Sequence, residues 1–582
     1  MKKPKPRLLG MEHSISASGK RHWKFRDPDS SSFFSDGGSF PISSFYPFYI
    51  LVVVVLLVFV GRLFSLSVVH GAENKELSEG NRISLLKTEA PRGRIFDRNG
   101  GILAQSQTSY VLEKDGHDTV ITNQQVADLE KQGLAGENFK GDLGQIKQGV
   151  KRVYTLGDVT AHVLGYTSVA NSSDFENNPN LSKINSVGRL GVEQAYDSFL
   201  QGKPGEKLIE VDATGNKISI LDDAKAVSGR DLHLTLDSNL QKIAFDALKK
   251  QTDKIGTKKG AVIVQNPQTG EVLALASAPS FNPFDIGKSM GDPNQPFFDR
   301  AIQGVYPPGS VFKLAVAMAG LSSGKITPDT EIEDVGKFEF SGTTFSNWYF
   351  NQYGKTDGVI KIDRAIARSN DIFFFKAAQM VGIEDLHKLL VKLGFGQVTG
   401  IDLPGEAFGL VPDGVWKKST LGEDWYPGDT MHLGIGQGFL LTTPIQINQM
   451  TSYVASGKLT KPYVVSKIDA GAGSGEINFK GNVKGENLVD SKFVGVVRSG
   501  MEQACQSGGT GVPFFNAPYK VGCKTGTAEK TLGDPHAWFT AYAPFDKPAV
   551  SITVVVENGG EGSVVAGPVA REILDWWVKN RS

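Results

Sequence analysis

The stretch "YPPGSVFKLAVAMAGLSSG" (residues 306–324) sets a serine, Ser310, three residues before a lysine, Lys313, in a run otherwise almost wholly apolar. On a helix, residues three apart share a face, with Cβ atoms about 5–6 Å apart. An ammonium in a buried helix loses hydration, which lowers its pKa, and a neutral amine beside a hydroxyl can take its proton. The pair points to nucleophilic catalysis by Ser310 with Lys313 as base. Spacing alone is weak evidence: it recurs at Ser84/Lys87 and Ser322/Lys325. A serine after Pro-Gly ordinarily caps a helix, for about 1 kcal/mol. What separates Ser310 is the helix behind it, "VFKLAVAMAGL", apolar on every face and so expected to be buried. A lysine paired with a buried carboxylate is the structural alternative.

Two further stretches carry chemistry. "RAIARSNDIFFFKAAQM" contains Ser369-Asn370-Asp371 at the edge of an apolar helical run. "VGCKTGTAEK" contains Lys524-Thr525-Gly526-Thr527 on a strand just before a turn. Each is common by itself; the three in this order are not.

These groups need a scaffold. From about residue 229 the chain reads as one large α/β domain. "GAVIVQNPQTGEVLALAS" is two β runs around a turn, and "SNLQKIAFDALKKQ" is an amphipathic helix with Ser238 as expected N-cap. "YKVGCKTGTAEK", "HAWFTAYAPF" and "AVSITVVVEN" give three late strands, and "PVAREILDWWVKN" a closing helix. Two strands early and three late predict one antiparallel sheet assembled from both ends of the domain and flanked by helices. Residues 70–228 read as a mixed, extended, non-catalytic pedestal, with a hairpin cue in "APRGRIFDRNGGILAQS" and a short helix in "GVEQAYDSFLQ".

The chain of 582 residues is too long for one domain. Its formal net charge of +0 gives no basic excess for nucleic acid. The nine histidines show no paired ligand spacing, and residues 333–358 hold neither Cys nor His, so no metal or other cofactor is expected. From Phe45 to Gly61 no charge appears, enough for about 25 Å of helix. A span over residues 46–69 exceeds a hydrocarbon core of about 30 Å. Residues 1–45 are Ser/Gly-rich and basic (Lys2, Lys3, Lys5, Arg7, Lys20, Arg21), which predicts a disordered cytoplasmic tail, an uncleaved single-pass anchor and an extracytoplasmic remainder. The only cysteines, Cys505 and Cys523, read either as a disulfide or as two small buried residues.

Ser-x-x-Lys, then Ser-x-Asn or its variant, then Lys-Thr-Gly, is the signature set of serine penicillin-binding enzymes. With "RGRIFDRNGGILA", "GVEQAYDSFLQGKPG" and "WYPGDTMHLGIGQGFLLTTPIQ", the chain resembles the class B penicillin-binding proteins over about residues 46–582. "TGIDLPGEAFGLVPD" and "SNWYFNQYG" incline it to the elongation-type branch. The resemblance implies a serine transpeptidase fold and a D,D-transpeptidase that cross-links peptidoglycan, maintains cell shape and is inhibited by β-lactams. It implies that Ser310 attacks the carbonyl between the terminal D-Ala residues of a stem peptide, that Lys313 takes the proton, and that Ser369 relays a proton to the leaving amine. Lys524, Thr525, Gly526 and Thr527 would hold the substrate carboxylate. The N–H groups of Ser310 and Thr527 would form an oxyanion hole. A SEDS-type glycosyltransferase at the inner membrane is the partner the resemblance implies. Asp371 departs from the usual Asn: it can accept hydrogen bonds but not donate them, and could hold Lys313 protonated. A β-lactam hydrolase or sensor, and a non-catalytic scaffold of wall synthesis, are the alternatives.

Overall fold

The computed structural model describes residues 46–581, apart from 115–116, 122, 132–144, 179–180, 182–185, 212–216 and 531–532. The tail expected at residues 1–45 lies outside the described residues. The chain forms two units, Met1–Asn81 and Arg82–Ser582. In the first, the helix Tyr46–Phe64 continues through a π turn, Ser65–Val69. Together they make 24 residues, within which an 18-residue stretch has mean hydropathy 2.7, long and apolar enough to cross a membrane.

In the second unit, five runs of buried residues make one antiparallel sheet: β1 (Gly260–Gln265), β2 (Val272–Ala278), β3 (Gly522–Ala528), β4 (His536–Ala543) and β5 (Val550–Val556). The spatial order is β2-β1-β5-β4-β3, so the early hairpin and the late meander meet at β1–β5, as expected. β1, β2, β4 and β5 are buried along their whole length, which is why they read as largely apolar runs without alternation.

Seven helices matter for the site: α1 (Ser238–Ile255), α2 (Lys313–Ser323), α3 (Ile362–Arg368), α4 (Asp371–Val381), α5 (Pro444–Ser456), α6 (Ser491–Ala504) and α7 (Ala566–Arg581). α1 and α7 share a core with β1, β4 and β5 through Leu240, Leu248, Ile573, Leu574, Val554 and Phe539. α5 covers the opposite face, with Thr451 bonded to Thr540 and Ser452 to Ser551. The expected cap of α1 is corrected. Asp237, one residue earlier than Ser238, accepts from Asn239 N and Leu240 N, because its extended backbone aims the carboxylate at the first turn.

Before this domain, the hairpin predicted at "DRNGG" forms. Asp97 Oδ1 accepts from Asn99 N and Gly101 N, and Ile95 pairs with Ala104. Its first strand, Ile95–Phe96, lies parallel to Leu232–Leu234, which pairs in turn with Val465–Ile468. One sheet therefore crosses the division expected at residues 228/229. Buried Glu193 joins Arg92 (2.8 Å) and Arg152 (2.7 Å) beneath it.

Asp299 lines a cavity of about 20 Å³ with His162, Gly191 and Gln303. Its Oδ1 accepts from Ala301 N, and its Oδ2 has no partner among the described residues. Burial raises its pKa from 3.8 to about 7. A raised folded-state pKa gives stability that is fully present below the unfolded value and lost as pH rises through the folded one. Between pH 4 and 7 this carboxyl costs up to about 4 kcal/mol. Asp299→Asn is expected to flatten that fall. Melting curves at pH 5 and pH 8 check it, and parallel losses in both proteins would contradict it.

Candidate active site

The turn before Ser310 is set by its neighbours. Tyr306 Oη donates to Glu557 Oε1 (2.9 Å), which also takes Arg300 Nε (2.8 Å), and Trp538 Nε1 donates to Pro307 O (3.1 Å). Gly309 adopts a left-handed φ of 57°, and a Cβ there would stand 2.9 Å from Thr527 O. No side chain fits, so glycine lets this turn lie directly against β3. Gly526 makes the same approach from the other side: its Cβ would meet Trp538 Cβ at 2.9 Å and Val311 Cγ1 at 3.0 Å.

Ser310 sits in a single 3₁₀ turn, Gly309–Phe312, and α2 begins at Lys313. Ser310 therefore does not play the ordinary capping part that a serine after Pro-Gly could play. The half-buried Ser310 caps nothing, and its Oγ bonds to no described residue. Lys313 is wholly buried at the first position of α2, whose residues through Leu321 are buried on every face. The apolar pattern predicted this.

Ser369 ends α3 in the left-handed conformation, φ 54° and ψ 36°. For a non-glycine residue this costs about 1–2 kcal/mol and persists only when its surroundings impose it. They do so here. Asn370 caps α4 by accepting from Phe373 N, while its Nδ2 donates to Asp334 (2.8 Å) and Asp357 (3.1 Å). Asp357 is paired with Arg368 (2.7 Å), and Asp334 also takes Asn347 Nδ2 (2.8 Å). Asp371 opens α4; its N–H donates to Asn347 Oδ1, and its Oδ2 accepts from Trp348 N (3.0 Å). Asp334, Asn347, Trp348 and Asp357 were not identified from sequence. Asn347 and Trp348 lie in "SNWYFNQYG", read there as a branch marker, and no motif pointed to Asp334 or Asp357.

Four of the predicted side chains converge. Lys524 Nζ lies 2.7 Å from Ser369 Oγ and donates to Thr525 O (2.9 Å). Lys313 Nζ lies 3.4 Å from the same hydroxyl, and donates to Ser369 O (2.7 Å) and Asp371 Oδ1 (2.7 Å). Ser369 Oγ thus stands between two buried amines served by one carboxylate. Burial lowers the pKa of both lysines. For Lys524 the Lys313 ammonium lowers it further, whereas Asp371 opposes the fall at both. This pair is the structural alternative named above, and it coexists with the cluster that the catalytic reading needs.

β3 is the edge of its sheet, so one side of Lys524–Thr527 has no strand beside it among the described residues. The Thr525 hydroxyl bonds Thr510 (2.8 Å), and Thr527 Oγ1 accepts from Gly562 N (3.4 Å). Cys505 and Cys523 form a disulfide, Cα–Cα 5.8 Å, which resolves the alternatives left open by sequence. It ties the end of α6 to the residue before Lys524.

Two family models match the chain. The penicillin binding protein transpeptidase domain covers residues 260–575, and the penicillin-binding protein dimerisation domain covers residues 119–234. Peptidoglycan D,D-transpeptidase MrdA of Salmonella typhimurium is 31% identical over 598 residues, 90% of this chain and 94% of that protein. Among solved structures, Helicobacter pylori PBP2 in complex with MreC superposes with a TM-score of 0.71 at 28% identity, covering 85% of this chain and 99% of that one. A chain of a peptidoglycan synthase complex that coordinates polymerization and crosslinking gives 0.72 at 28% identity, covering 94% and 99%.

Proposed function

The chain belongs to the class B penicillin-binding proteins, in the elongation-type branch, and from that premise we propose that Ser310 is the residue its donor peptide acylates. The enzyme is a peptidoglycan D,D-transpeptidase of cell-wall synthesis. The observation that carries the residue assignment is the place of Ser369 Oγ between Lys313 and Lys524, with the Ser310 turn pressed against β3.

Ser310 Oγ attacks the carbonyl of the penultimate D-Ala as its proton passes to Lys313. The C–N bond breaks, and the leaving D-Ala amine receives a proton through Ser369. The donor stem lies along the free edge of β3, its carboxylate at Lys524, Thr525 and Thr527. The N–H groups of Ser310 and Thr527 hold the oxyanion, where one such donor contributes about 3–4 kcal/mol. The ester keeps the energy of the cleaved amide, so an acceptor amine from a neighbouring stem forms the cross-link without a nucleotide. In this proposal residues 70–228 are the pedestal and 229–582 the transpeptidase domain. The basic tail is cytoplasmic, and the span 46–69 with the pedestal meets a SEDS-type glycosyltransferase. The synthase complex and the MreC-bound relative support an assembly of this kind.

Mass spectrometry of the detergent-solubilised full chain after exposure to a labelled penicillin tests the reading. One stable adduct on the peptide containing Ser310 is expected. Rapid release of the label would indicate a hydrolase instead, and no adduct would refute the assignment.

A further inference from the structure

The hydrogen-bond inventory around Ser369 separates the two lysines. An ammonium has three N–H groups. Lys313 Nζ has three acceptors, Ser369 O, Asp371 Oδ1 and Ser369 Oγ, one of them a carboxylate at 2.7 Å. Among the described residues Lys524 Nζ has only Thr525 O and Ser369 Oγ, and it pairs with no carboxylate. A neutral amine matches that inventory: one N–H donates to Thr525 O, and the lone pair takes the Ser369 hydroxyl proton. Two buried ammoniums sharing one hydroxyl and one carboxylate would repel. Asp371 faces both amines, and the charged groups acting on Lys524 are Lys313 and Asp371. Arg368 is neutralised by Asp357. The single proton of the amine pair therefore resides on Lys313, where it blocks the base.

We propose that the resting enzyme keeps its base protonated by Asp371, and that the carboxylate of the incoming donor peptide unblocks it by drawing that proton across Ser369 to Lys524. An N–H bond of Lys313 breaks as an O–H bond forms on Ser369 Oγ. The original Ser369 O–H breaks as an N–H bond forms on Lys524. Net charge is unchanged. The carboxylate then faces an ammonium on β3, and Lys313 is a neutral amine one turn from Ser310. Asp371 is a positioning residue for the proton, which gives the Asp at this place a role an amide could not fill. The gate rests on the acylation of Ser310 proposed above. It confines acylation to ligands with a free carboxylate, through the rate of the step as well as through affinity.

Benzylpenicillin and its methyl ester test this on the full chain in detergent, with the first-order acylation constant measured at saturation so that affinity drops out. The acid is expected to acylate about 100-fold faster, the span of one general base. Over neutral pH the ester's constant is expected to climb about tenfold per unit, because its base must lose a proton to solvent, while that of the acid stays flat. Parallel pH profiles, or an ester within threefold of the acid, would overturn the gate, since simple recognition of the carboxylate shifts both profiles alike. In Asp371→Asn the acid-to-ester ratio is expected to fall about tenfold as the ester gains. An unchanged ratio in a variant that melts normally would overturn the role of Asp371, and the wild-type profiles decide if that variant does not fold. Failure of both compounds to acylate the wild type would strike the Ser310 assignment instead.

Discussion

Ser310→Ala is expected to abolish labelling by a fluorescent penicillin and to lower cross-linking at least about 10⁴-fold, the scale on which removing a nucleophile acts. The same change is expected to leave the melting temperature within about 2 °C, because a half-buried substitution that loses no hydrogen bond is close to neutral. The structure separates the two outcomes. Ser310 Oγ bonds no described residue, and the turn that carries it is held by Gly309, Pro307 and Trp538 through backbone and tryptophan contacts that alanine keeps. Gel fluorescence and a thermal melt on the same preparation check both halves. Labelling of the variant at the wild-type rate would place the nucleophile elsewhere. A large drop in melting temperature would give Ser310 a structural part that its lack of partners contradicts.

The second large effect is on folding. Glu193 is wholly buried, with Oε2 on Arg92 Nε (3.0 Å) and Nη2 (2.8 Å) and Oε1 on Arg152 Nε (2.7 Å). Arg92 also reaches Asp197 and Ser186 O, and Arg152 reaches Gly93 O. The cluster fastens "RGRIFDR" to "GVEQ", two stretches about a hundred residues apart in sequence. Glu193→Ala leaves two guanidinium groups in a dry interior with one fewer carboxylate, and is expected to cost about 3–5 kcal/mol. Denaturant unfolding with limited proteolysis of the region before residue 234 measures it. A loss below about 1 kcal/mol would show that water reaches these arginines and that the cluster is solvated.

What the sequence disclosed and what it concealed divide along a physical line. The three motifs were legible because each couples an unusual residue to a local pattern: an amine in an apolar helix, a serine before a helix, a lysine on a strand. The central sheet was legible because strands buried on both faces leave apolar runs that turns punctuate. Contacts between distant segments were not. Nothing local links Asp334 and Asn347 to Ser369, yet they hold its left-handed backbone. The pairing of Lys313 with Asp371 depends on how α2 and α4 pack, and the cysteine pair on where α6 ends against β3. Asp237 and Ser238 are equally good caps by type, and one residue of backbone register chose between them. Leu232–Leu234, inside the domain expected from residue 229, pairs in the sheet shared with Ile95–Phe96 rather than in the catalytic one, and no local pattern announces that.

The meeting of β1 with β5 governs when the protein can first work. Gln265 and Ser551, bonded across that seam, are separated by 286 positions of chain. Ser310 is synthesised with the early half, whereas Lys524 and the edge strand β3 come with the late half. Until the late half is present the Ser310 turn has no β3 to lie against, and the proposed acylation has no site. Loop closure over this distance makes the seam a slow event, so the proposed site assembles only once nearly the entire polypeptide is made. A protein cut short before β3 cannot corrupt the wall it was sent to build.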